Sequence, residues 1–181
     1  MIRKRAGWLC TLLVLQILTI GVLSFFEGRL SRATILVVFI PLIISSGGNT
    51  GTQAASLLIR ALAVREVELA DWRRVIRREV TTGAALGVLL GALAFALVYT
   101  IDAVGFKTTD HAALVGGAVA LSVFAIVLWG VAIGAAFPMI LHRAGLDPAT
   151  ISSPLVATLM DVSGLVIYFA VAAAMLSGTL L

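Results

Sequence analysis

Five long runs of apolar residues, separated by short charged or turn-forming segments, constrain the fold of this chain more than any other feature. At about 1.5 Å per residue, each run is long enough to cross a hydrocarbon core of about 30 Å as a helix. The composition agrees, because the chain is 61% hydrophobic and only 12% charged, unlike a soluble domain. We therefore predict an all-α membrane protein, a single domain over residues 1–181 with five transmembrane helices. The predicted spans are 8–26, 33–59, 80–101, 112–141 and 151–176.

The basic charge of the chain follows from this topology. The formal net charge is +4 and the pI is about 10.0, but the Lys and Arg residues cluster between the apolar runs. Ten of them lie on the side of the N-terminus, namely Arg3, Lys4, Arg5, Arg60, Arg65, Arg73, Arg74, Arg77, Arg78 and Arg143, against Arg29, Arg32 and Lys107 on the other side. Since Lys and Arg are enriched in cytosolic loops, we predict a cytosolic N-terminus and an extracytosolic C-terminus. The charge therefore indicates a lipid bilayer as the surroundings and no nucleic-acid partner.

The second apolar run has an unusually polar centre, since residues 41–56 read PLIISSGGNTGTQAAS. Proline and glycine leave backbone groups exposed, which is tolerated at membrane depth where the backbone lines a cavity or is buried in protein. Interrupted spans mark binding sites in transporters. At helical spacing, one stripe contains Pro41, Ser45, Asn49, Thr52 and Ser56. We predict an interrupted span whose polar stripe faces an ion site. The alternative, which stays open, is that Asn49 and Gln53 bind no ion and make hydrogen bonds that hold two helices together.

Asp161 is the one acid of the nine in the chain that lies within an apolar run. Leaving a carboxylate against lipid would cost at least about 3 kcal/mol, so this side chain should face the protein interior or a pore. At helical spacing its own face carries Ser153, Ala157, Gly164 and Tyr168. The small residues among these leave room for a ligand beside the carboxylate.

Asn49 and Asp161 should lie at similar depths, roughly 16 and 14 Å from the cytosolic ends of their helices. A carboxylate opposite amide and hydroxyl oxygens offers only hard oxygen ligands, which suit Mg²⁺. One carboxylate cannot fill a dehydrated octahedral shell, so we expect the ion to keep several waters. Mn²⁺, Co²⁺ and Ca²⁺ remain alternatives, because the sequence does not give the geometry that separates them.

Segments 41–53 and 147–164 resemble the signature helices of the MgtE family of magnesium channels and transporters, and the order of five spans is similar to that family's membrane domain. The resemblance implies a pore at a homodimer interface with hydrated Mg²⁺ at Asp161. It also implies support from the carbonyls of Ala157 and Gly164, from a turn at Gly47, Gly48 and Asn49, and from Ser153, where relatives can carry asparagine. A further cation site is implied near Asp147. Relatives of the best-known type carry a sensor domain and CBS modules that we do not expect here.

The function that we expect is therefore transport of a divalent cation. One alternative is an exchanger in which Asp161 also carries protons or sodium. Another is a non-transporting subunit that assembles through glycine faces, such as that of Gly83, Gly87 and Gly91. We predict no enzymatic activity, because the chain contains neither an HExxH nor a GxSxG motif. Asp147, followed by a proline, could equally begin the fifth helix as its cap.

Overall fold

The computed structural model describes residues 2–30, 35–104 and 111–179, and these ranges form helices joined by turns, with no strand among them. Five of the helical segments are long and apolar enough to cross a membrane, which confirms the predicted fold class. The helices are α1 (Ile2–Leu15), α2 (Ile17–Leu30), α3 (Ile35–Ala63), α4 (Trp72–Ala103), α5 (Ala112–Arg143) and α6 (Pro148–Leu176). A short 3₁₀ turn, Leu69–Asp71, precedes α4.

Helix α5 lies at the centre of the fold, and α3, α4 and α6 pack against it. The glycine face of α4 makes one of these contacts. A Cβ added at Gly91 would lie 2.9 Å from the carbonyl oxygen of Ala120, and one at Gly87 would lie 3.2 Å from that of Phe124. Small residues allow helix backbones to approach this closely in lipid. The glycine stripe of α4 is therefore used for packing inside the chain.

Helices α3 and α6 run antiparallel in a register fixed by small residues. Gly47 of α3 lies against Met160 of α6, and Gly51 lies against Val156. Near the other end of the pair, the hydroxyl of Tyr168 donates a 2.8 Å hydrogen bond to the carbonyl oxygen of Leu36. This register determines which polar residues of the two helices share a depth.

Three elements differ from their predicted form. The first span is divided into α1 and α2 at Gln16, whereas we expected one uninterrupted helix. The second span is one continuous helix, whereas we expected an interruption. Helix α4 begins eight residues before the predicted span, since Val75 and Ile76 in its first turns pack against the cluster around Met139.

Some predictions fall outside what the structure describes. Residues 33 and 34, the first two of the predicted second span, are among them. The same holds for the side chains of six residues in the charge count, namely Arg3, Lys4, Arg5, Arg29, Arg32 and Lys107.

Candidate cation site

Three polar side chains lie at the middle of three membrane-spanning segments. Asn49 is the central residue of the 29-residue helix α3. Asp161 is one residue from the centre of the 29-residue helix α6. Gln16 is one residue from the centre of the first span, Ala6–Gly28. Polar groups at this depth are costly unless they have partners, so their surroundings indicate what they do.

The polar stripe of α3 lies on the face turned away from the rest of this chain. Pro41, Ser45, Asn49 and Ser56 are exposed, and Thr52 is half-buried. The opposite face, which includes Ile43, Gly47 and Gly51, is buried against α5 and α6.

Asn49 uses its amide nitrogen within this stripe, donating a 3.2 Å hydrogen bond to the hydroxyl of Ser45. A side-chain amide has a nitrogen that donates and an oxygen that accepts. Since the nitrogen of Asn49 is already used, its oxygen is the atom left to bind a cation or to accept a hydrogen bond from the water of a hydrated cation. The stripe therefore presents the Asn49 oxygen together with the hydroxyl of Ser45.

The two glycines before Asn49 have different surroundings. A Cβ at Gly47 would overlap Ile126 and Met160, so close packing requires glycine there. The Gly47 carbonyl oxygen faces α5, where it would lie 2.7 Å from a Cβ on Gly130. Gly48 is half-buried, and a Cβ there would meet no atom within 4 Å. Of the two residues, Gly48 is the one with open space beside it.

The continuous course of α3 limits which backbone oxygens can bind an ion. The hydroxyl of Thr52 donates to the Gly48 carbonyl at 2.7 Å, and that of Thr50 donates to the Gly47 carbonyl at 3.2 Å. The carbonyl that Pro41 deprives of its helical donor is that of Val37, about 18 Å along the axis from Asn49. The side-chain oxygens of the stripe are therefore better placed for a cation than its backbone.

Asp161 is half-buried, and its Oδ2 accepts a 3.0 Å hydrogen bond from Nε2 of Gln16. Ser153 and Ala157, two turns and one turn before it, are also half-buried and share its face. Gly164 turns into the core, where Ile44 and Ile126 lie 4.0 Å from the position of an added Cβ. The predicted face therefore contains Ser153 and Ala157, but Gly164 lies at its buried edge.

The depths of the two central residues agree within a helical turn. Asp161 follows Met160, which lies beside Gly47, so the carboxylate is about two to three residues from Asn49 along the axis, or roughly 4 Å. The described residues contain no group of three or more His, Cys, Asp or Glu side chains that could hold a metal ion. Within them, the carboxylate of Asp161 is hydrogen-bonded to a neutral amide, that of Gln16, and a single carboxylate suits an ion that keeps much of its water.

Asp147 caps the N-terminus of α6 at the end of the span. Its carboxylate accepts hydrogen bonds from the hydroxyl of Thr150 at 2.6 Å and from the backbone N–H of Ala149 at 3.0 Å. The bond from Thr150, followed by that from Ala149, lowers the pKa of the carboxyl group below its ordinary value. The capping prediction is confirmed, and the second cation site near Asp147 stays a prediction.

Gln16 is the residue at the site that the sequence analysis missed. The signal was present, because Gln16 is a lone amide in the middle of an apolar run. What the pattern does not contain is its contact with Asp161, which lies 145 positions further along the chain.

Comparisons with known proteins identify a family that this chain matches over most of its length. The model of a family described as "MgtE: Divalent cation transporter" matches residues 40–171. Proteins named magnesium transporter MgtE from Thermus thermophilus, Bacillus subtilis and Enterococcus faecalis are 42%, 34% and 32% identical to this chain over 168, 171 and 169 residues. These alignments cover 93%, 94% and 93% of the chain, but only 35%, 36% and 36% of the relatives. The chain therefore spans about a third of the length of the curated relatives it matches.

Proposed function

This chain belongs to the MgtE family of divalent cation transporters, and from that premise we propose that its helices form a pathway for Mg²⁺ across the membrane. The observation that carries the proposal is the position of Asp161, a carboxylate at the middle of a membrane-spanning helix and near the depth of Asn49. A negative charge at a constriction attracts a dication and repels anions. The names of the relatives support Mg²⁺ as the ion.

The chemistry of the site supports a partly hydrated ion. Mg²⁺ loses its water reluctantly and is usually held through one or two carboxylates. Asp161 supplies the charge, and the Asn49 oxygen and the Ser45 hydroxyl supply neutral acceptors for the hydrogen atoms of bound water. Gly48 has open space beside it on α3. On α6, Ser153 and Ala157 are small and half-buried, so they do not fill the space next to Asp161. We propose that the ion passes along the side of the chain that carries the exposed α3 stripe and the carboxylate of Asp161, with most of its first shell in place.

A second copy of the chain would complete this pathway. The polar stripe of α3 is exposed in the single chain, and Gln53 is exposed beside it. Polar side chains on a lipid-facing surface are costly, whereas the same side chains lining a water-filled interface are not. We propose a homodimer in which the α3 stripes face each other across the pathway and each subunit contributes its own Asp161.

The alternative of a non-transporting subunit that assembles through glycine faces has less support. The glycine face of α4 is occupied by α5 of the same chain, as the positions of Gly87 and Gly91 show. Gly130 and Gly134 of α5 are similarly occupied by α3, around Gly47 and Gly51. These faces are therefore not available for a partner without unpacking the fold.

The test is Mg²⁺ uptake into liposomes that contain the purified protein. We expect Asp161→Asn, which removes the charge but keeps the size, to lower the uptake at least about tenfold, because the neutral amide no longer attracts a dication. Asp102→Asn, the same change at the end of α4, is the matched control and should leave uptake close to that of the parent. Equal uptake by the parent and Asp161→Asn would rule out the proposed pathway.

The same liposomes separate a channel from an exchanger. Uptake that continues without a proton or sodium gradient and produces a current supports a channel. Uptake that requires such a gradient supports the exchanger, with Asp161 alternating between cations.

A further inference from the structure

The first span is interrupted at Gln16, and no proline or glycine accounts for the interruption. The backbone N–H of Gln16 still donates to the carbonyl of Leu12, but the next helix begins with a tighter bond, from the N–H of Thr19 to the carbonyl of Gln16. Sharp changes of helix direction without proline commonly occur where a side chain or a water enters the hydrogen-bond ladder. The interruption here coincides with the residue that contacts another helix.

That contact is between the amide of Gln16 and the carboxylate of Asp161. Nε2 lies 3.0 Å from Oδ2, at normal hydrogen-bond length, and both side chains are half-buried. It is the only hydrogen bond to the Asp161 side chain seen within the described residues. The amide therefore restrains one carboxylate oxygen, Oδ2, while Oδ1 accepts no hydrogen bond from the described residues.

The other residues of the first span make few contacts that attach it to the rest of the fold. Within the described side chains of α1 and α2, Leu12 alone is buried, with 8% of its surface exposed. Near the end of α2, the ring of Phe26 packs on that of Phe169 with centroids 4.7 Å apart. The Gln16 contact is thus a polar anchor between the first span and α6, beside the apolar packing of Phe26 on Phe169.

We propose that Gln16 is a positioning residue for the cation site, holding Asp161 so that its second oxygen faces the ion pathway. This inference rests on the proposed function. Carboxylates that bind metals are usually held by hydrogen bonds of this kind, and removing the partner typically weakens metal binding tenfold or more. A carboxylate without its partner must be ordered when the ion arrives, which weakens binding and leaves the maximal rate largely unchanged.

The experiment measures Mg²⁺ uptake by liposomes over a range of Mg²⁺ concentrations. In Gln16→Met, which keeps the length of the side chain but removes the donor, we expect the half-saturating Mg²⁺ concentration to rise about tenfold. We expect the maximal uptake per folded protein to stay within about twofold of the parent. Thr19→Val is the matched control, because it removes a polar group from the same span, and it should change neither quantity.

A second variant, Gln16→Asn, keeps the amide but shortens the side chain by one carbon, so it should lose the contact and raise the half-saturating concentration as well. Unchanged half-saturation in both variants would overturn the inference. Lower yields or lower maximal uptake without that shift, or failure of both variants to fold, would assign Gln16 a purely structural role and also overturn it. Failure of the proposed function is distinguishable, since the parent itself would then carry no Mg²⁺ or would not depend on Asp161.

Discussion

A polar side chain lies at the middle of each of three spans, and each of the three supplies a different chemical group. Asp161 supplies a negative charge, Asn49 supplies a neutral oxygen beside Ser45, and Gln16 supplies the hydrogen-bond donor that holds the acid. Groups of this kind are costly in hydrocarbon, and they are retained where protein partners or water satisfy them.

Two of these three residues could be predicted from the sequence, and the third could not. Asp161 and Asn49 were predictable, because a polar residue inside an apolar run is rare and can be recognised without knowledge of packing. The role of Gln16 was not predictable, since one sequence does not say which helix packs against the first span. The burial of Gly164 depends likewise on the rotation of α6 against α3, which helical periodicity alone does not fix.

Asp147 gives a prediction for the dependence of stability on pH. Its folded pKa lies below the ordinary value of 3.8, mainly because Thr150 donates a hydrogen bond to its ionised form. The resulting stabilisation is fully present above pH 3.8 and is lost as the pH falls through the lower folded pKa. Asp147→Asn keeps a capping oxygen but does not titrate. We expect the parent to melt at a higher temperature than Asp147→Asn at pH 6, and the difference to shrink as the pH falls below 3.8 and through the lower folded pKa.

Thermal unfolding in detergent across this pH range measures that difference. Glu66→Gln, which changes an exposed carboxyl group in the turn before α4, controls for general effects of removing one negative charge. A difference between the parent and Asp147→Asn that stays constant or widens on acidification would contradict the role assigned to this cap.

At the scale of elements, packing decides the course of α3 against its local sequence. Proline and three glycines predict an interruption, yet the helix is continuous from Ile35 to Ala63. Gly47 and Gly51 lie where α5 and α6 leave no room for a Cβ, so contacts between helices offset the weak helix propensity of glycine. The number and order of spans were predictable from apolar length, but the effect of these glycines depended on neighbours that the sequence does not identify.

The close approach of α3 and α5 predicts a large effect from one methyl group. In Gly130→Ala, the new Cβ would lie 2.7 Å from the carbonyl oxygen of Gly47, so the two backbones must separate. Overpacking of this kind costs roughly 1–3 kcal/mol, and we expect a clearly lower melting temperature in detergent. In Gly21→Ala, the added Cβ meets no atom within 4 Å, and we expect equal or slightly higher stability. Equal melting temperatures for the two variants would contradict the packing described for α5.

At the scale of the whole molecule, the proposed homodimer depends on the exposed stripe of α3. It carries Ser45 and Asn49 at membrane depth, with Gln53 exposed beside it, whereas the glycine faces of α4 and α5 are already occupied. A homodimer through this stripe would place two copies of Asp161 near one pathway and so concentrate a dication there. The excess of Lys and Arg on one side continues to predict that the N-terminus is cytosolic.

The most direct test of this account is a crystal structure of the protein with Mn²⁺, which replaces Mg²⁺ in oxygen-rich sites and is located by its anomalous scattering. We predict a dimer with an anomalous peak roughly 4–5 Å from the carboxylate of Asp161, the distance set by one intervening water, and with the α3 stripes facing it. A dimer that buries another face, or a Mn²⁺-bound structure with no peak near Asp161, would contradict the account.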